Sequence, residues 1–169
     1  LNVYALSDDT YTLTEEQVET LDLSTYFQGK QGTFVLYDID QDCYQIYNQK
    51  LSVKRISPDS TFKIYSGLFA LQEELIAPTS SEQEWNGQTF PFDSWNQNQT
   101  LSTALKNSVN WYFQNLDTQM GYHRLSSYYN KISYGNCDLP AGLSHYWSES
   151  SLKISAVEQA HLLSNLWNN

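Results

Sequence analysis

A proline followed by an acid, two hydroxyls and a lysine constrains this chain more than any other stretch: Ser57-Pro58-Asp59-Ser60-Thr61-Phe62-Lys63. Pro58 cannot continue a helix arriving from upstream, and it pushes Ser57 towards extended backbone. Asp59 is then placed as an N-cap and Ser60 at the first helical position. Beyond it Phe62, Tyr65, Leu68, Phe69, Leu75 and Ile76 recur at spacings of three and four. That spacing predicts a helix over 60–76 with one apolar face. Ser60 and Lys63 stand three apart, so their side chains meet on one flank of its first turn.

Such a pair suits nucleophilic chemistry. A serine hydroxyl is a weak nucleophile until a neighbouring base removes its proton. A lysine becomes that base when apolar neighbours desolvate it, because burial disfavours the ammonium. Phe62, Ile64 and Tyr65 are such neighbours. The free N–H groups of the first turn, Ser60's among them, point towards developing negative charge. The plain alternative is a solvated lysine one turn from a capping serine, since S-x-x-K also arises by chance.

At 169 residues the chain has the length of one domain, and 40% hydrophobic content with 15% aromatics supplies a core. Nine basic against nineteen acidic residues leave a formal charge of −10, which argues against a nucleic-acid partner. Cys43 and Cys137 form neither a C-x-x-C motif nor a zinc cluster; free thiols are expected, although an oxidising compartment would let them pair. No apolar run approaches the roughly 18 residues of a membrane span, and no signal peptide is present. The chain opens at Leu1 rather than Met, so an excised piece of a longer protein is expected, with a membrane anchor conceivable upstream.

Along the chain, residues 1–30 are polar and acidic, with a short helix expected at 14–18 and Gly29 ending the segment. Residues 33–37 and 44–47 are β-rich, and Asp38–Asp42 between them is expected to be a hairpin turn. That turn also begins like a calcium loop, D-x-D-x-D. Its sixth and twelfth positions hold Cys43 and Gln49 instead of glycine and glutamate, which argues against a calcium site. Residues 77–100, rich in tryptophan and proline, are expected to form a structured surface loop. Helices are expected at 100–113, with Leu101, Ala104 and Leu105 inward, and at 117–132, with Leu125, Tyr128 and Tyr129 inward. A turn-rich loop comes next at 135–142. Ser155-Ala156-Val157-Glu158 is a capping box opening a last helix whose stripe is Ala156, Ala160, Leu163 and Trp167. A two-stranded hairpin is marginal in water, and the sequence shows no obvious strand to complete its sheet.

Three further groups could complete a site. Ser108-Val109-Asn110 supplies a hydroxyl and an amide just past a helical stretch, Tyr134-Gly135-Asn136 a phenol and an amide around glycine, and Trp147 an indole N–H in a loop. Singly, Ser108 could cap a helix, Asn136 could fill a left-handed turn position and Trp147 could be core. In order, Ser60-Thr61-Phe62-Lys63, Ser108-x-Asn110, Tyr134-Gly135-Asn136, Tyr146-Trp147-Ser148-Glu149 and 152–159 resemble the penicillin-recognising serine acyl-transfer superfamily. The branch they resemble is that of the class D β-lactamases and the BlaR/MecR-type penicillin-sensing domains, over residues 22–167. The resemblance implies an α+β fold of the β-lactamase/penicillin-binding-protein type, with an N-terminal β-hairpin and a helical subdomain. It implies that Ser60 is acylated by β-lactams and that Lys63 is the general base, with no cofactor except CO2 as a carbamate on Lys63. Trp147 would hold that carbamate, Ser108 would relay a proton to the lactam nitrogen, and Asn110, Tyr134 and Asn136 would bind the ligand.

The two branches differ after acylation: a hydrolase regenerates its serine, whereas a sensor stays acylated. Class D hydrolases typically carry an aliphatic residue at position 110. Asn110 can instead hydrogen-bond the Lys63 amine and favour its bare form, which matches the sensors. So do the Lys63-Ile64-Tyr65-Ser66 continuation and the tryptophan-rich 85–95 segment. The expectation is a β-lactam sensor on the extracellular face of a Gram-positive membrane, joined to upstream transmembrane and cytoplasmic signalling parts. The alternative is a class D β-lactamase. A carbohydrate-binding module with sugar-stacking aromatics is a third reading, disfavoured because the aromatics fall at helical spacing. The family's K-T-G strand is absent, and Asn169 stands where the C-terminal part should begin, so residues 1–169 are expected to be a fragment prone to self-association.

Overall fold

A computed structural model of the chain describes residues 4–5, 12–140 and 142–167. The termini Leu1 and Asn169, on which the fragment expectation turned, lie outside them. The strands are β1 (Tyr4–Ala5), β2 (Thr12–Leu13), β3 (Val18–Thr20), β4 (Phe34–Asp38) and β5 (Cys43–Tyr47). The helices are α1 (Ser24–Phe27), α2 (Gln49–Ser52), α3 (Phe62–Gln72), α4 (Leu101–Lys106), α5 (Asn110–Met120), α6 (Tyr122–Lys131) and α7 (Ala156–Trp167). The chain divides into two compact units. One comprises residues 1–57, 131–137 and 152–169, the other 58–130 and 138–151.

In the first unit the expected hairpin forms: β4 runs antiparallel to β5, with Val35 opposite Ile46 and Tyr37 opposite Tyr44. The Asp-rich turn serves the backbone. Asp38 accepts the N–H groups of Asp40 and Gln41, both at 3.1 Å, and Asp42, at φ +48°, accepts the Tyr37 hydroxyl at 2.7 Å. The sheet gains a third strand that the sequence did not make obvious, while β4 stays an outer strand. Val18–Thr20 adds to β5 in parallel, with Val18 opposite Tyr44, giving the order β3-β5-β4. The expected helix at 14–18 is reduced to a 3-10 turn at Glu15–Gln17 that leads into this strand.

Helix α7 covers the sheet. Its capping box is present: Glu158 N–H donates to Ser155 Oγ at 3.3 Å, and the Glu158 carboxylate accepts Ser155 N–H at 2.9 Å. The inward face is rotated one residue from the expected stripe. Val157 is wholly buried with Leu13, Tyr44 and Ile46, and Ala160 packs on that cluster, whereas Leu163 and Trp167 are exposed. Burial of a residue such as Ile46 is worth about 1.5–3 kcal/mol. Cys43 and Cys137 are free thiols.

The second unit is helical. Helix α3 ends at Gln72 rather than 76, because the chain closes in a Schellman turn: Glu74 takes φ +56°, Glu74 N–H donates to Leu71 O at 3.1 Å, and Leu75 N–H donates to Ala70 O at 3.0 Å. Leu68, placed inward by the sequence, is exposed, and Ala70 is buried instead. Gly67 lets α3 and α4 approach, since a Cβ there would stand 3.1 Å from Leu101 Cδ1. Reciprocal bonds between Thr100 and Thr103 start α4. The helix expected at 100–113 breaks at 107–109, and the one expected at 117–132 breaks at Gly121, φ +77°. Leu105 is exposed, while Ala104, Leu125 and Tyr129 are buried as expected. Residues 77–100 form the expected ordered loop, pinned by paired N–H···O bonds between Gln83 and Gln99 at 2.8 and 3.1 Å. Tyr44, Tyr112, Tyr129, Tyr134 and Tyr146 are wholly buried, so much of the aromatic content is core.

Candidate active site

The 57–63 stretch folds more tightly than a simple helix start. Asp59 sits at φ +46°, the left-handed region, and makes no side-chain cap. It is therefore not the extended N-cap expected. Residues Asp59–Thr61 form a 3-10 turn, and the α-helix begins at Phe62. The turn is held from both sides: Asp59 N–H donates to Trp147 O at 2.9 Å, and Thr61 donates to Pro58 O through N–H at 3.1 Å and Oγ1 at 2.6 Å. A left-handed non-glycine residue costs on the order of 1 kcal/mol or more, and such strain concentrates at working sites.

This turn presents Ser60 on the surface while Lys63 points inward, 2% exposed. Lys63 Nζ lies 3.0 Å from Ser60 Oγ. Burial among apolar neighbours pulls the Lys63 pKa from 10.5 down to about 8, against a smaller upward pull from the Asp59 carboxylate. Near neutrality a useful fraction of this amine is then unprotonated.

Ser108 reaches the same hydroxyl from the break between α4 and α5. Ser108 N–H donates to Leu105 O at 3.2 Å and Val109 N–H to Ala104 O at 2.9 Å, a Schellman closure with Ser108 at the left-handed position, φ +53°. Glycine would be relaxed there. From that position Ser108 Oγ lies 2.9 Å from Ser60 Oγ. Ser60 Oγ is thus flanked by an amine and a hydroxyl, and it opens on a cleft of about 380 Å3 lined also by Phe92, Ser94, Trp95, Asn107 and Asn110.

Asn110, the first residue of α5, is half-buried at this cleft, and among the described residues its side-chain amide makes no hydrogen bond to Lys63. Trp147 is buried and stacks flat on Phe62, centroids 4.2 Å apart at 9°. Lys63 Nζ lies 5.0 Å from the centroid of that Phe62 ring. The structure therefore brings Ser60, Lys63, Ser108, Asn110 and Trp147 into the helical unit. Tyr134 and Asn136 belong to the sheet-bearing unit. There Tyr134 is buried and its hydroxyl accepts Gln159 Nε2 at 3.3 Å. Asn136 pairs with Lys153 through N–H···O and Oδ1···H–N contacts, both 2.9 Å. Gly135 between them, at φ +54°, has no room for a Cβ against the Lys153 carbonyl.

Sequence reasoning missed the cleft walls Phe92, Ser94, Trp95 and Asn107, which lie far along the chain from Ser60. It also missed Asp117, a wholly buried carboxyl in the same unit that accepts Ser66 Oγ at 2.6 Å and Tyr146 OH at 2.9 Å. One signal was available: Asp117 falls four residues after Phe113 and three before Met120, in register with the apolar face of α5.

Residues 16–169 match the family of the penicillin binding protein transpeptidase domain. The methicillin resistance mecR1 protein of Staphylococcus aureus is 45% identical over 144 residues, 85% of this chain and 24% of that protein. Among solved structures, the C-terminal domain of the Bacillus licheniformis BlaR penicillin-receptor is 40% identical with a TM-score of 0.86, covering 90% of this chain and 62% of that one. A class D beta-lactamase from Bacillus subtilis is 34% identical with a TM-score of 0.84, covering 88% and 62%. The chain spans about a quarter of the length of the mecR1 and BlaR1 relatives it matches.

Proposed function

The chain belongs to the penicillin-binding protein transpeptidase domain family, with the α+β fold of the BlaR receptor domain and the class D β-lactamases, and from that premise we propose that it is a β-lactam sensor acylated at Ser60. The observation that carries the reading is Ser60 Oγ set 3.0 Å from a buried amine and 2.9 Å from a second hydroxyl. Unprotonated Lys63 takes the Ser60 proton as Oγ attacks the lactam carbonyl carbon. The C–N bond then breaks. The proton on Lys63 passes by way of Ser108 to the departing nitrogen, which returns Lys63 to its neutral form and leaves an ester on Ser60. The Ser60 N–H, without a partner among the described residues, is free to receive the developing oxyanion.

Asn110 and Trp147 decide the fate of the acyl-serine. The indole N–H of Trp147 has no hydrogen-bond partner among the described residues, so it is available to a carbamate on Lys63. Asn110 places a polar amide on the cleft instead of an aliphatic side chain. That wet wall favours the bare amine, which leaves the ester without a base for its hydrolysis. We propose ligand-binding roles for Tyr134 and Asn136 as well. The similarity to mecR1 and BlaR supports the sensor reading. On that reading we propose that the domain lies on the outer face of a Gram-positive membrane within a longer signalling protein. No helix among the described residues is long and apolar enough to cross a membrane.

A class D hydrolase is the second reading, favoured by the similarity to the Bacillus subtilis enzyme. Intact-mass measurement after exposure to benzylpenicillin, with a chromogenic cephalosporin assay beside it, separates the two. A sensor gives one adduct per chain on Ser60 and a stoichiometric burst with almost no turnover, both lost in Ser60→Ala. Sustained turnover identifies the hydrolase, and an adduct on any other side chain defeats both.

A further inference from the structure

Helix α5 carries one carboxyl that the acylation chemistry does not use. Asp117 is wholly buried, and no Lys, Arg or His pairs with it among the described residues. An uncompensated buried carboxylate is expensive, and an asparagine or an apolar residue would fill the same space at less cost. Its partners give it a purpose. Ser66, which donates to Oδ1 at 2.6 Å, is one turn beyond Lys63 on α3. Tyr146, which donates to Oδ2 at 2.9 Å, precedes Trp147. Tyr146 also meets the Phe62 ring edge-on at 5.5 Å and the Trp147 ring edge-on at 5.2 Å. Behind it, Tyr129 OH on α6 stands 3.0 Å from Tyr146 OH.

Building on the acyl-serine reading, we propose that Asp117 is a positioning residue for acylation: its buried carboxyl ties the turn behind Lys63 to the loop that carries Trp147, and the site is fully assembled only when Asp117 is ionised. Hydrogen-bond inventory sets this dependence. An ionised carboxylate accepts from both hydroxyls at once, with Tyr129 donating onward to Tyr146. A protonated carboxyl has a hydrogen of its own to place, so Ser66 or Tyr146 must turn to accept it and one tie changes direction. The groups that face Asp117 are Ser66 from α3 and Tyr146 from the 138–151 segment, with Tyr129 from α6 behind; all are neutral. Burial raises the Asp117 pKa from 3.8 to about 7, opposed by the bonds from Ser66 and Tyr146, which places the change of state near neutrality.

The test is the pH profile of the acylation rate constant of the protein with a fluorescent penicillin, from about pH 5.5 to 9, beside thermal melts. In the wild type two protons must leave, one from Asp117 and one from Lys63. The logarithm of the rate below neutrality then rises with a slope near two, against about one for Asp117→Asn, which keeps only the Lys63 limb. A slope near two in a folded Asp117→Asn protein overturns the proposal. Should that variant fail to fold, Ser66→Ala decides: losing a bond that lowers the Asp117 pKa must move the lower limb to higher pH, and an unmoved limb overturns the proposal. A wild type that takes no penicillin at any pH sinks the acyl-serine reading and this inference together. Acylation with an unaltered profile in Asp117→Asn sinks this inference alone.

Discussion

Ser108 closes helix α4 in a left-handed conformation, φ +53°, and from there its Oγ lies 2.9 Å from Ser60 Oγ. The residue that ends the helix is also the one that meets the nucleophile. Backbone strain and proton relay therefore sit on the same side chain, and substitution separates them. Ser108→Gly relaxes the backbone and is expected to be more stable than Ser108→Ala by about 1 kcal/mol. Both should acylate more slowly, by roughly 10²–10⁴-fold. Thermal melts and penicillin labelling of the two variants check this; equal stability would refute the strain.

Lys63 carries a similar trade. Its ammonium is penalised in the folded state, where the pKa is about 8 instead of 10.5. The cost is fully present below pH 8 and disappears as the pH climbs through the ordinary value. Lys63→Met should therefore stabilise the protein at pH 7 by on the order of 1–2 kcal/mol, after allowance for solvent screening, while abolishing acylation. The stability gap between wild type and variant should narrow from pH 8 to 10.5. A gap that widens over this range would contradict the assignment.

Asn110→Val replaces the polar cleft wall by an aliphatic one. Signal from 13C-labelled bicarbonate on Lys63 should become stronger and longer-lived, and the acyl-serine should hydrolyse faster. An unchanged acyl lifetime removes Asn110 from this role.

Glu158 holds together the sheet-bearing unit. Its carboxylate takes Arg55 Nη2 at 2.6 Å and Ser155 N–H at 2.9 Å, with both ionic partners largely buried. Glu158→Ala should cost about 3–5 kcal/mol, because it strands the guanidinium and uncaps α7. Urea denaturation measures this, and a loss below about 1 kcal/mol would show the pair to be dispensable.

Phe34 and Leu36 on the outer strand β4, with Leu163, Leu166 and Trp167 on α7, are exposed apolar residues. The 169-residue chain is expected to self-associate through the Phe34 and Leu36 face of β4, and Leu36→Lys to shift sedimentation towards the monomer. Identical sedimentation of the two proteins would exclude β4 from the contact.

Local spacing was enough to determine the Ser60–Lys63 pair, the Ser155–Glu158 capping box and the hairpin, because each depends on residues three to thirteen apart whose geometry the backbone dictates. The order of the motifs was enough to indicate the family. Tertiary structure alone decided the rest. Val18–Thr20 is only three residues long, and it becomes a strand because β5 offers it hydrogen-bond partners. Position 59 goes left-handed, against its promise as an N-cap, where Asp59 N–H finds the Trp147 carbonyl. The α7 stripe is rotated because the face that meets Tyr44 and Ile46 is buried, whatever the hydrophobicity of Leu163 and Trp167. Asp117 looks like one more solvated acid on a helix until Ser66 and Tyr146 are seen to close over it. Sequence spacing dictates which neighbours along one helix can touch, but which segments enclose a side chain, and so what its charge costs, depends on distant parts of the chain packing together.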